Sequence, residues 1–324
     1  MQPTVSVIIP AYQTADLIAE TLASVAAQTR TDYEVVIIDD GSTDDLNGAC
    51  APFLADPRFR LHHFANCGVT AARNRGLGLA AGQYLAFVDS DDLMEPDYLA
   101  VMLGALEANP GAVLACCDAL MFGVPEREGR LLSDFEPMET PPSLQQVLAG
   151  RFLVYTGVTV RAEAVRSVGG YSTGMPAAED FDLWLRLLIA GGSFVFVPRP
   201  LARYRRRAGS LSNTPTKLHL GRAQAYVRAI ADLPTGSAEA AICRRKLCQL
   251  LGTMELHAAR QALLRGEAAP ARAHLRAASR QGVLSLRWRL LRAILPVAPA
   301  LAVRAIRRDE ARLSPLEQLA SAPV

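Results

Sequence analysis

The feature that most constrains the fold is an alternation of short apolar runs with helical segments between residues 4 and 122. Five runs have the length of strands: VSVIIPAY, YEVVIID, FRLHHFA, QYLAFVD and AVLACCDALMF. Segments with apolar residues at helical spacing separate them, as in ADLIAETLASVAAQT. Runs that are apolar throughout, rather than at every second residue, are typical of strands buried on both faces. The pattern therefore predicts an α/β fold in which helices flank a mostly parallel sheet.

Polar residues directly follow three of these runs. Pro10 to Tyr12 end the first run, Asp39 and Asp40 end the second, and residues 89–92, with the sequence DSDD, end the fourth. Ligands of such sheets bind outside the carboxyl ends of the strands. The sequence thus predicts that these polar groups converge on one crevice.

The acidic segment 89–92 carries three carboxylates within four residues. A single aspartate after a strand can simply cap the next helix. Three of them repel one another unless positive charge lies among them. Hard divalent cations such as Mg²⁺ and Mn²⁺ prefer oxygen ligands and take further ligands from substrate phosphates. The segment therefore favours a metal site for a substrate that contains a diphosphate.

Two later segments add candidate residues to this crevice. Glu179 and Asp180 stand where a helical segment begins, and Asp180 is either the N-cap of that helix or a general base. A further strand is predicted at SFVFVP. Arginines cluster after it from Arg203 to Arg207, either as a solvated strand end or as charge for phosphate oxygens. The sequence has no Walker loop, no GxGxxG after the first strand and no GxSxG. These absences argue against a P-loop NTPase, a dinucleotide-binding dehydrogenase and an esterase.

Five segments in this order resemble the motifs of family-2 inverting glycosyltransferases: VSVIIPAY, VVIIDDGSTDD, GVTAARNRGL, YLAFVDSDDLMEPDYL and AAEDFDLWLRLLIAGG. The resemblance covers residues 4 to about 212 and implies the Rossmann-like GT-A fold. It implies transfer of a sugar, with inversion, from a nucleotide-diphosphate sugar to an acceptor hydroxyl. A UDP-sugar donor, a saccharide or lipid-linked acceptor in cell-surface polysaccharide or glycoconjugate synthesis, and no nucleic-acid partner are the expectations that follow.

The resemblance also implies roles for individual residues. Asp180 corresponds to the general base that deprotonates the acceptor. Asp89 and Asp91 correspond to the DxD pair that binds Mn²⁺ or Mg²⁺, which would stabilise the leaving diphosphate. Asp39 corresponds to the residue that binds the nucleotide base. The full implied set of donor-binding residues is Pro10, Tyr12, Asp39, Arg73, Asp89, Glu179 and Arg207.

One segment, YRRRAGSLS, departs from the family's pattern. Arg207 stands where many members have a histidine near the diphosphate. An arginine cannot ligate a cation, but it can pair with phosphate. Either the metal has fewer protein ligands in this chain, or Arg207 partly substitutes for the metal.

The composition changes near residue 216, so we predict a GT-A catalytic domain over 1–215 and a helical extension over 216–324. Residues 216–324 carry 18 Lys and Arg against 7 Asp and Glu, whereas the preceding residues carry 16 against 25. Within the extension, residues 257–280 predict a helical hairpin hinged near Gly266. The basic segment 284–308 has an apolar centre too short to span a bilayer. It can lie at an anionic membrane surface or pack on the acidic catalytic domain.

The expected location is the cytoplasm, with or without peripheral contact to the inner face of the membrane. The first residues lack the basic region of a signal peptide, and no run reaches the ~18 apolar residues of a spanning helix. The six cysteines fit neither a zinc site nor a disulfide framework, which indicates free thiols in a reducing compartment.

Two other functions remain open from the sequence. A nucleotidyltransferase also uses a metal and carboxylates on an α/β sheet, but it usually has a glycine-rich basic loop after the first strand, which PAYQTADL lacks. A nucleotide-sugar-binding protein without transferase activity would need the same donor-binding residues.

Overall fold

The computed structural model describes residues 2–155, 157–207 and 215–310. The chain forms two compact units. The N-terminal unit comprises Met1–Met175 and Glu179–Arg207, and the C-terminal unit comprises Pro176–Ala178 and Ala208–Val324. Each unit is described separately below.

The described residues of the N-terminal unit contain eight strands and seven α-helices. The strands are β1 (Val5–Ala11), β2 (Tyr33–Asp39), β3 (Phe59–His63), β4 (Tyr84–Phe87), β5 (Leu93–Met94), β6 (Ala112–Phe122), β7 (Val158–Arg161) and β8 (Ser193–Arg205). The helices are α1 (Ile18–Ala26), α2 (Leu46–Cys50), α3 (Val69–Leu79), α4 (Tyr98–Ala108), α5 (Leu144–Leu148), α6 (Ala162–Ser167) and α7 (Glu179–Ile189).

All eight strands form one mixed sheet in the order β3-β2-β1-β4-β7-β6-β8-β5. The ladders of β1 with β2, β1 with β4, β2 with β3 and β6 with β8 are parallel. The ladders that involve β7 and β5 are antiparallel. The α/β fold is confirmed, but β5 and β7 were not predicted. β5 has only two residues, and β7 lies in a weakly patterned stretch of sequence.

Helices cover both faces of the sheet, as the apolar runs predict. On one face, Val7 and Ile9 of β1 belong to a core cluster with Leu22 of α1 and Met102 of α4, and all four are fully buried. On the other face, α3 packs so closely that a Cβ added at Gly76 would lie 2.5 Å from Cγ2 of Ile8. Burial of such side chains contributes about 1.5–3 kcal/mol each, which makes this sheet a rigid support for the residues at its edge.

The described part of the C-terminal unit contains five helices: α8 (Pro215–Asp232), α9 (Ala238–Leu264), α10 (Ala268–Arg280), α11 (Leu286–Ile294) and α12 (Pro299–Glu310). The predicted hairpin near Gly266 is confirmed, since Gly266 has a φ of 78° between α9 and α10. Buried side chains of α9, α10, α11 and α12, among them Leu275 and Ile306, form one core. Across the described ranges, every helix is too short or too polar to cross a membrane.

Candidate active site

The predicted crevice lies at the carboxyl ends of three adjacent parallel strands. Ala11 of β1 pairs with Asp39 of β2, and Ile8 of β1 pairs with Phe87 of β4. Polar residues that follow these strands therefore leave the sheet at the same edge. Pro10 is buried in β1, whereas the side chain of Tyr12 is 50% exposed just beyond it.

The loop after β1 is tied to the loop after β2. The Gln13 side chain donates to Thr43 Oγ1 at 2.7 Å, and its amide oxygen accepts from the Thr43 backbone N–H at 3.2 Å. Gln13 has a φ of 53°, which is uncommon for a residue other than glycine. A conformation of this kind costs of order 1 kcal/mol and persists because the surrounding contacts hold it. These contacts tie the loop that carries Tyr12 to the loop after β2.

Asp39, at the end of β2, is a buried carboxylate whose partners stabilise its charge. Its Oδ2 lies 2.8 Å from Nδ1 of His63, and its Oδ1 accepts from the Ser42 backbone N–H at 2.8 Å. Burial alone raises the pKa of Asp39, but the hydrogen bonds from His63 and Ser42 outweigh it and hold the pKa below its ordinary value.

Asp40 stabilises the connection between β2 and α3. Its carboxylate accepts from the backbone N–H groups of Cys67 and Gly68, at 3.0 and 2.7 Å, immediately before α3. Arg75 of α3 donates to it at 3.0 Å. These contacts fix the start of α3 against the end of β2, and α3 in turn carries Arg73.

Arg73 joins the segment after β4 to the start of α7. Its guanidinium donates to Asp89 at 2.7 Å and to Glu179 at 2.5 Å. The Arg73 side chain is only 3% exposed, and its guanidinium carbon lies 5.4 Å from the centroid of the Tyr171 ring. Burial lowers the pKa of Arg73, but the surrounding carboxylates and Tyr171 outweigh it, so the group stays charged. Residues 73, 89 and 179, distant in sequence, therefore meet as the prediction requires.

Asp91 faces Arg207. Nε of Arg207 donates to Oδ2 of Asp91 at 2.8 Å. Burial raises the pKa of Asp91, the charge of Asp89 raises it further, and Arg207 offsets only part of the rise. A further positive charge next to Asp91 would therefore stabilise its ionised form.

Asp92, the third carboxylate of the segment, is buried and holds the loop in place. The Tyr155 hydroxyl donates to Oδ2 of Asp92, and the backbone N–H of Arg205 donates to Oδ1 at 2.8 Å. Nε of Arg205 also donates to the carbonyl of Asp91 at 2.8 Å. Burial, together with the charges of Asp89 and Asp91, raises the pKa of Asp92 far above its ordinary value. The helix-capping alternative does not hold for this segment, because α4 begins only at Tyr98.

Asp180 is the second residue of α7, so it lies in the first turn and not at the N-cap. Its Oδ1 accepts from the Phe181 backbone N–H at 2.7 Å. Burial raises the pKa of Asp180 to about 6, the charge of Glu179 adds to the rise, and Arg73 opposes it. A carboxylate with this pKa is deprotonated at neutral pH and can still accept a proton, which is the property of a general base.

The donor atoms at this edge fit a divalent cation that a substrate helps to hold. Asp89 and Asp91 offer carboxylate oxygens, and Arg207 offsets only part of the rise in the pKa of Asp91. Within the described residues, no three His, Cys, Asp or Glu side chains are grouped to bind a metal by themselves. Mg²⁺ typically binds one or two carboxylates and fills its other positions with water and substrate phosphates. Two carboxylates and a diphosphate therefore suit such an ion.

Three residues of this region escaped the sequence prediction. His63, which binds Asp39, ends β3, and the strand-end rule applied to the third run would have found it. Tyr155 and Tyr171 lie in the weakly patterned stretch of sequence, which carries no comparable signal. Arg205 belongs to the predicted arginine cluster, but it binds the backbone of Asp91 and the carboxylate of Glu20.

Comparison with known proteins is consistent with this site. Residues 84–303 match the family model described as "Glycosyl transferase family group 2", and residues 6–159 match "Glycosyl transferase family 2". The chain belongs to glycosyltransferase family 2, which confirms the resemblance inferred from the motifs.

Two relatives show how the similarity is distributed. An uncharacterized glycosyltransferase of Rickettsia felis is 45% identical over 105 residues, which are 32% of this chain and 17% of that protein. The glycosyltransferase GlyG of Streptococcus pneumoniae is 25% identical over 280 residues, which are 79% of this chain and 91% of that protein. This chain thus spans less than a fifth of the Rickettsia relative but most of GlyG.

Two solved structures share the fold. S. aureus TarS in complex with UDP-GlcNAc has a TM-score of 0.64 and 17% identity, and the match covers 95% of this chain and 92% of that one. The mannosyltransferase PcManGT from Pyrobaculum calidifontis, in complex with GDP-Man and Mn²⁺, has a TM-score of 0.62 and 21% identity, over 99% and 86% of the two chains. The GT-A fold is therefore confirmed.

Proposed function

We propose that this protein transfers a sugar from a nucleotide-diphosphate sugar to an acceptor hydroxyl with inversion at the anomeric carbon. The observation that carries the proposal is the ion-pair bridge through Arg73. This bridge links Asp89, in the acidic segment after β4, to Glu179, the neighbour of Asp180. The bridge supports the proposal because it ties Asp89, the proposed leaving-group residue, to the neighbour of the proposed base.

The proposed reaction is a single displacement. The acceptor oxygen attacks the anomeric carbon from the side opposite the diphosphate. The bond between that carbon and the diphosphate oxygen breaks, and its electron pair leaves with the diphosphate. Asp180 takes the proton of the acceptor hydroxyl, and its pKa of about 6 suits this task.

We propose Mn²⁺ or Mg²⁺ as the cofactor, held by Asp89 and Asp91 together with the diphosphate. When bound, such an ion offsets the negative charge that develops on the leaving group. Support comes from the two neighbouring carboxylates, of which Asp89 raises the pKa of Asp91, and from the Mn²⁺ in the PcManGT complex. Arg207, beside Asp91, is proposed to contact the same diphosphate.

The donor is proposed to be a UDP-sugar, with its base beside Asp39 and the loop from Pro10 to Tyr12. Asp39 has a stabilised charge that can accept hydrogen bonds from a base, and Tyr12 exposes a ring on which a base can stack. The TarS complexes contain UDP-GlcNAc or UDP, whereas PcManGT contains GDP-Man. The acceptor is proposed to be a saccharide or a lipid-linked saccharide. All six cysteines are free, which supports a reducing, cytoplasmic location.

The test is a transfer assay with a panel of UDP- and GDP-sugars, with and without Mn²⁺, on the wild type and Asp180→Asn. We expect the substitution to lower kcat at least about 100-fold while the dissociation constant of the donor stays within about two-fold, because a base acts only in the transition state. Glu163→Gln is the matched control, since Glu163 is an exposed acid in the first turn of α6.

Three results would count against the proposal. Donor binding without transfer or hydrolysis for any donor and acceptor would indicate a binding protein. A product that retains the anomeric configuration of the donor would exclude the single displacement. A large loss of donor affinity with intact kcat in Asp180→Asn would make Asp180 a binding residue.

A further inference from the structure

The C-terminal unit exposes a row of large aliphatic side chains. Leu286 and Val297 are 74% and 82% exposed, and Leu290, Ile294 and Leu301 are also exposed. They occupy only 16 consecutive positions of the described chain. Isolated exposed leucines are ordinary on protein surfaces, but a contiguous apolar patch usually marks an interaction site.

The row follows from the helical period of α11. Leu286, Leu290 and Ile294 are spaced four residues apart, so they lie on one side of the helix. Leu291 and Leu295, on another side, are buried in the core of the C-terminal unit. Helix α11 therefore has one apolar side that stabilises the fold and a second apolar side, the outer stripe (Leu286, Leu290 and Ile294), that packing does not explain.

The chain around the outer stripe is strongly basic. Residues 281–310 contain six arginines against two acidic residues, Asp309 and Glu310, which end α12. The arginines are Arg287, Arg289, Arg292, Arg304, Arg307 and Arg308. Arg304, Arg307 and Arg308 are exposed on α12, and none of them forms an ion pair within the described chain. Arg289 and Arg292 bind a backbone carbonyl and a serine hydroxyl, which leave their charge uncompensated.

We propose that the outer stripe and the arginines of α12 form a docking surface for an anionic phospholipid bilayer. Aliphatic side chains of an interfacial helix enter the boundary between headgroups and acyl chains, while arginines reach the phosphates. The net positive charge favours an anionic bilayer, because arginines gain electrostatic binding energy from anionic headgroups and little from neutral ones. A second copy of the same basic face would repel the first, which disfavours self-association through it.

This docking surface gives the proposed transferase access to acceptors anchored in lipid, so the inference extends the proposed function without depending on it. The surface lies entirely within the C-terminal unit. Its test therefore needs no transfer activity, and its failure leaves the assignment of Asp180 untouched.

The experiment is co-flotation of the full-length protein with vesicles. We would compare phosphatidylcholine vesicles with vesicles that contain about 30 mol% phosphatidylglycerol, at about 50 mM and about 500 mM salt. The stripe variant is Leu286→Ser with Leu290→Ser and Ile294→Ser. Its control is Val227→Ser with Leu251→Ser, which removes exposed aliphatic side chains from α8 and α9.

The basic variant is Arg307→Gln with Arg308→Gln. Its control, Arg244→Gln with Arg245→Gln, removes an equally exposed arginine pair from α9. Circular dichroism confirms that each variant is folded, and donor binding provides a second check that the N-terminal unit is intact.

We expect the wild type and both controls to float with anionic vesicles at low salt and not with neutral ones. The stripe variant should bind at least about ten-fold more weakly, and the basic variant should lose most of its salt-sensitive binding. Absence of wild-type binding, or equal binding by the stripe variant, would overturn the proposal. A dimer in sedimentation velocity that the stripe variant abolishes, without vesicle binding, would assign the surface to a second copy instead.

Discussion

Two acidic clusters at neighbouring strand ends behave in opposite ways. At the end of β2, Asp39 and Asp40 accept hydrogen bonds from His63, Arg75 and backbone N–H groups, and the pKa of Asp39 is lowered. At the end of β4, the pKa values of Asp91 and Asp92 are raised. The two clusters have similar sequences, DD and DSDD, and lie on strands separated only by β1.

The difference lies in what compensates the charge. In the β2 cluster, hydrogen bonds from protein groups stabilise the charges of Asp39 and Asp40. These carboxylates can therefore stabilise the fold and still accept hydrogen bonds from a ligand. In the β4 cluster, burial and the charges of neighbouring carboxylates raise the pKa values of Asp91 and Asp92, and Arg207 offsets only part of the rise at Asp91. We propose that a cation bound together with the diphosphate of the donor compensates the charge of Asp89 and Asp91.

The comparison predicts that Asp91→Asn lowers kcat whereas Asp39→Asn raises the KM for the donor. The loss of kcat is the largest effect that we expect. Asp91→Asn should lower kcat about 100- to 1,000-fold, because a neutral amide weakens the cation site at the leaving group. Asp39→Asn should mainly raise the KM for the donor, by about ten-fold, since it removes a binding contact. Steady-state kinetics at an Mn²⁺ concentration that saturates the wild type measures both. Equal losses of kcat in the two variants would contradict the separate roles proposed for Asp91 and Asp39.

The pH dependence of kcat should follow the ionisation of Asp180, whose pKa depends on Glu179 and Arg73. A base must be deprotonated to act, so kcat should fall about ten-fold per pH unit below the Asp180 pKa of about 6. Glu179→Gln removes a neighbouring negative charge that raises this pKa, so the acidic limb should move to lower pH. A limb that stays in place, or moves upward, would show that Asp180 is not the group that titrates.

The hydrogen bonds of Asp92 should stabilise the fold whether or not its carboxyl group is charged. Its pKa is raised, so its protonated form stabilises the fold at low pH and that contribution is lost as pH rises toward the folded-state pKa. Asp92→Asn imitates the protonated form and should cost less than about 1 kcal/mol of unfolding free energy at neutral pH. Asp92→Ala leaves Tyr155 and the Arg205 N–H without a partner and should cost about 2 kcal/mol. Urea denaturation measures both unfolding free energies. A loss in Asp92→Asn as large as that in Asp92→Ala would show that the carboxylate must be charged.

The smallest effect expected belongs to the β2 cluster. His63→Gln removes a partly exposed contact to Asp39, so the unfolding free energy should fall by less than about 1 kcal/mol. Because the pKa of Asp39 is lowered in the folded state, the stabilisation it gives exists above its unfolded pKa and disappears as the pH falls. The difference between wild type and His63→Gln should therefore shrink below about pH 4 in acid titrations of stability.

Much of this account could be predicted from local patterns. Apolar runs and helical spacing predicted β1 to β4, β6 and the helices between them, because burial on both faces leaves a continuous signal. The strand-end rule placed Asp39, Asp89 and Asp91 at one edge of the sheet, where the structure has them. Two tyrosines were not predicted: Tyr155, which binds Asp92, and Tyr171, which lies beside Arg73. They come from the region where β7 pairs antiparallel and no period marks the strand. Patterns also could not tell Asp91 from Asp92, since only burial separates their roles.

The most direct test of the central difference is Mn²⁺ binding in the presence of UDP, followed by electron paramagnetic resonance of the free ion. The account predicts that wild-type protein and Asp39→Asn, at saturating UDP, each bind one Mn²⁺ with similar affinity, whereas Asp91→Asn binds at least about ten-fold more weakly. Equal Mn²⁺ affinity in Asp91→Asn and the wild type, or loss of the ion in Asp39→Asn alone, would contradict the assignment of the cation to the end of β4.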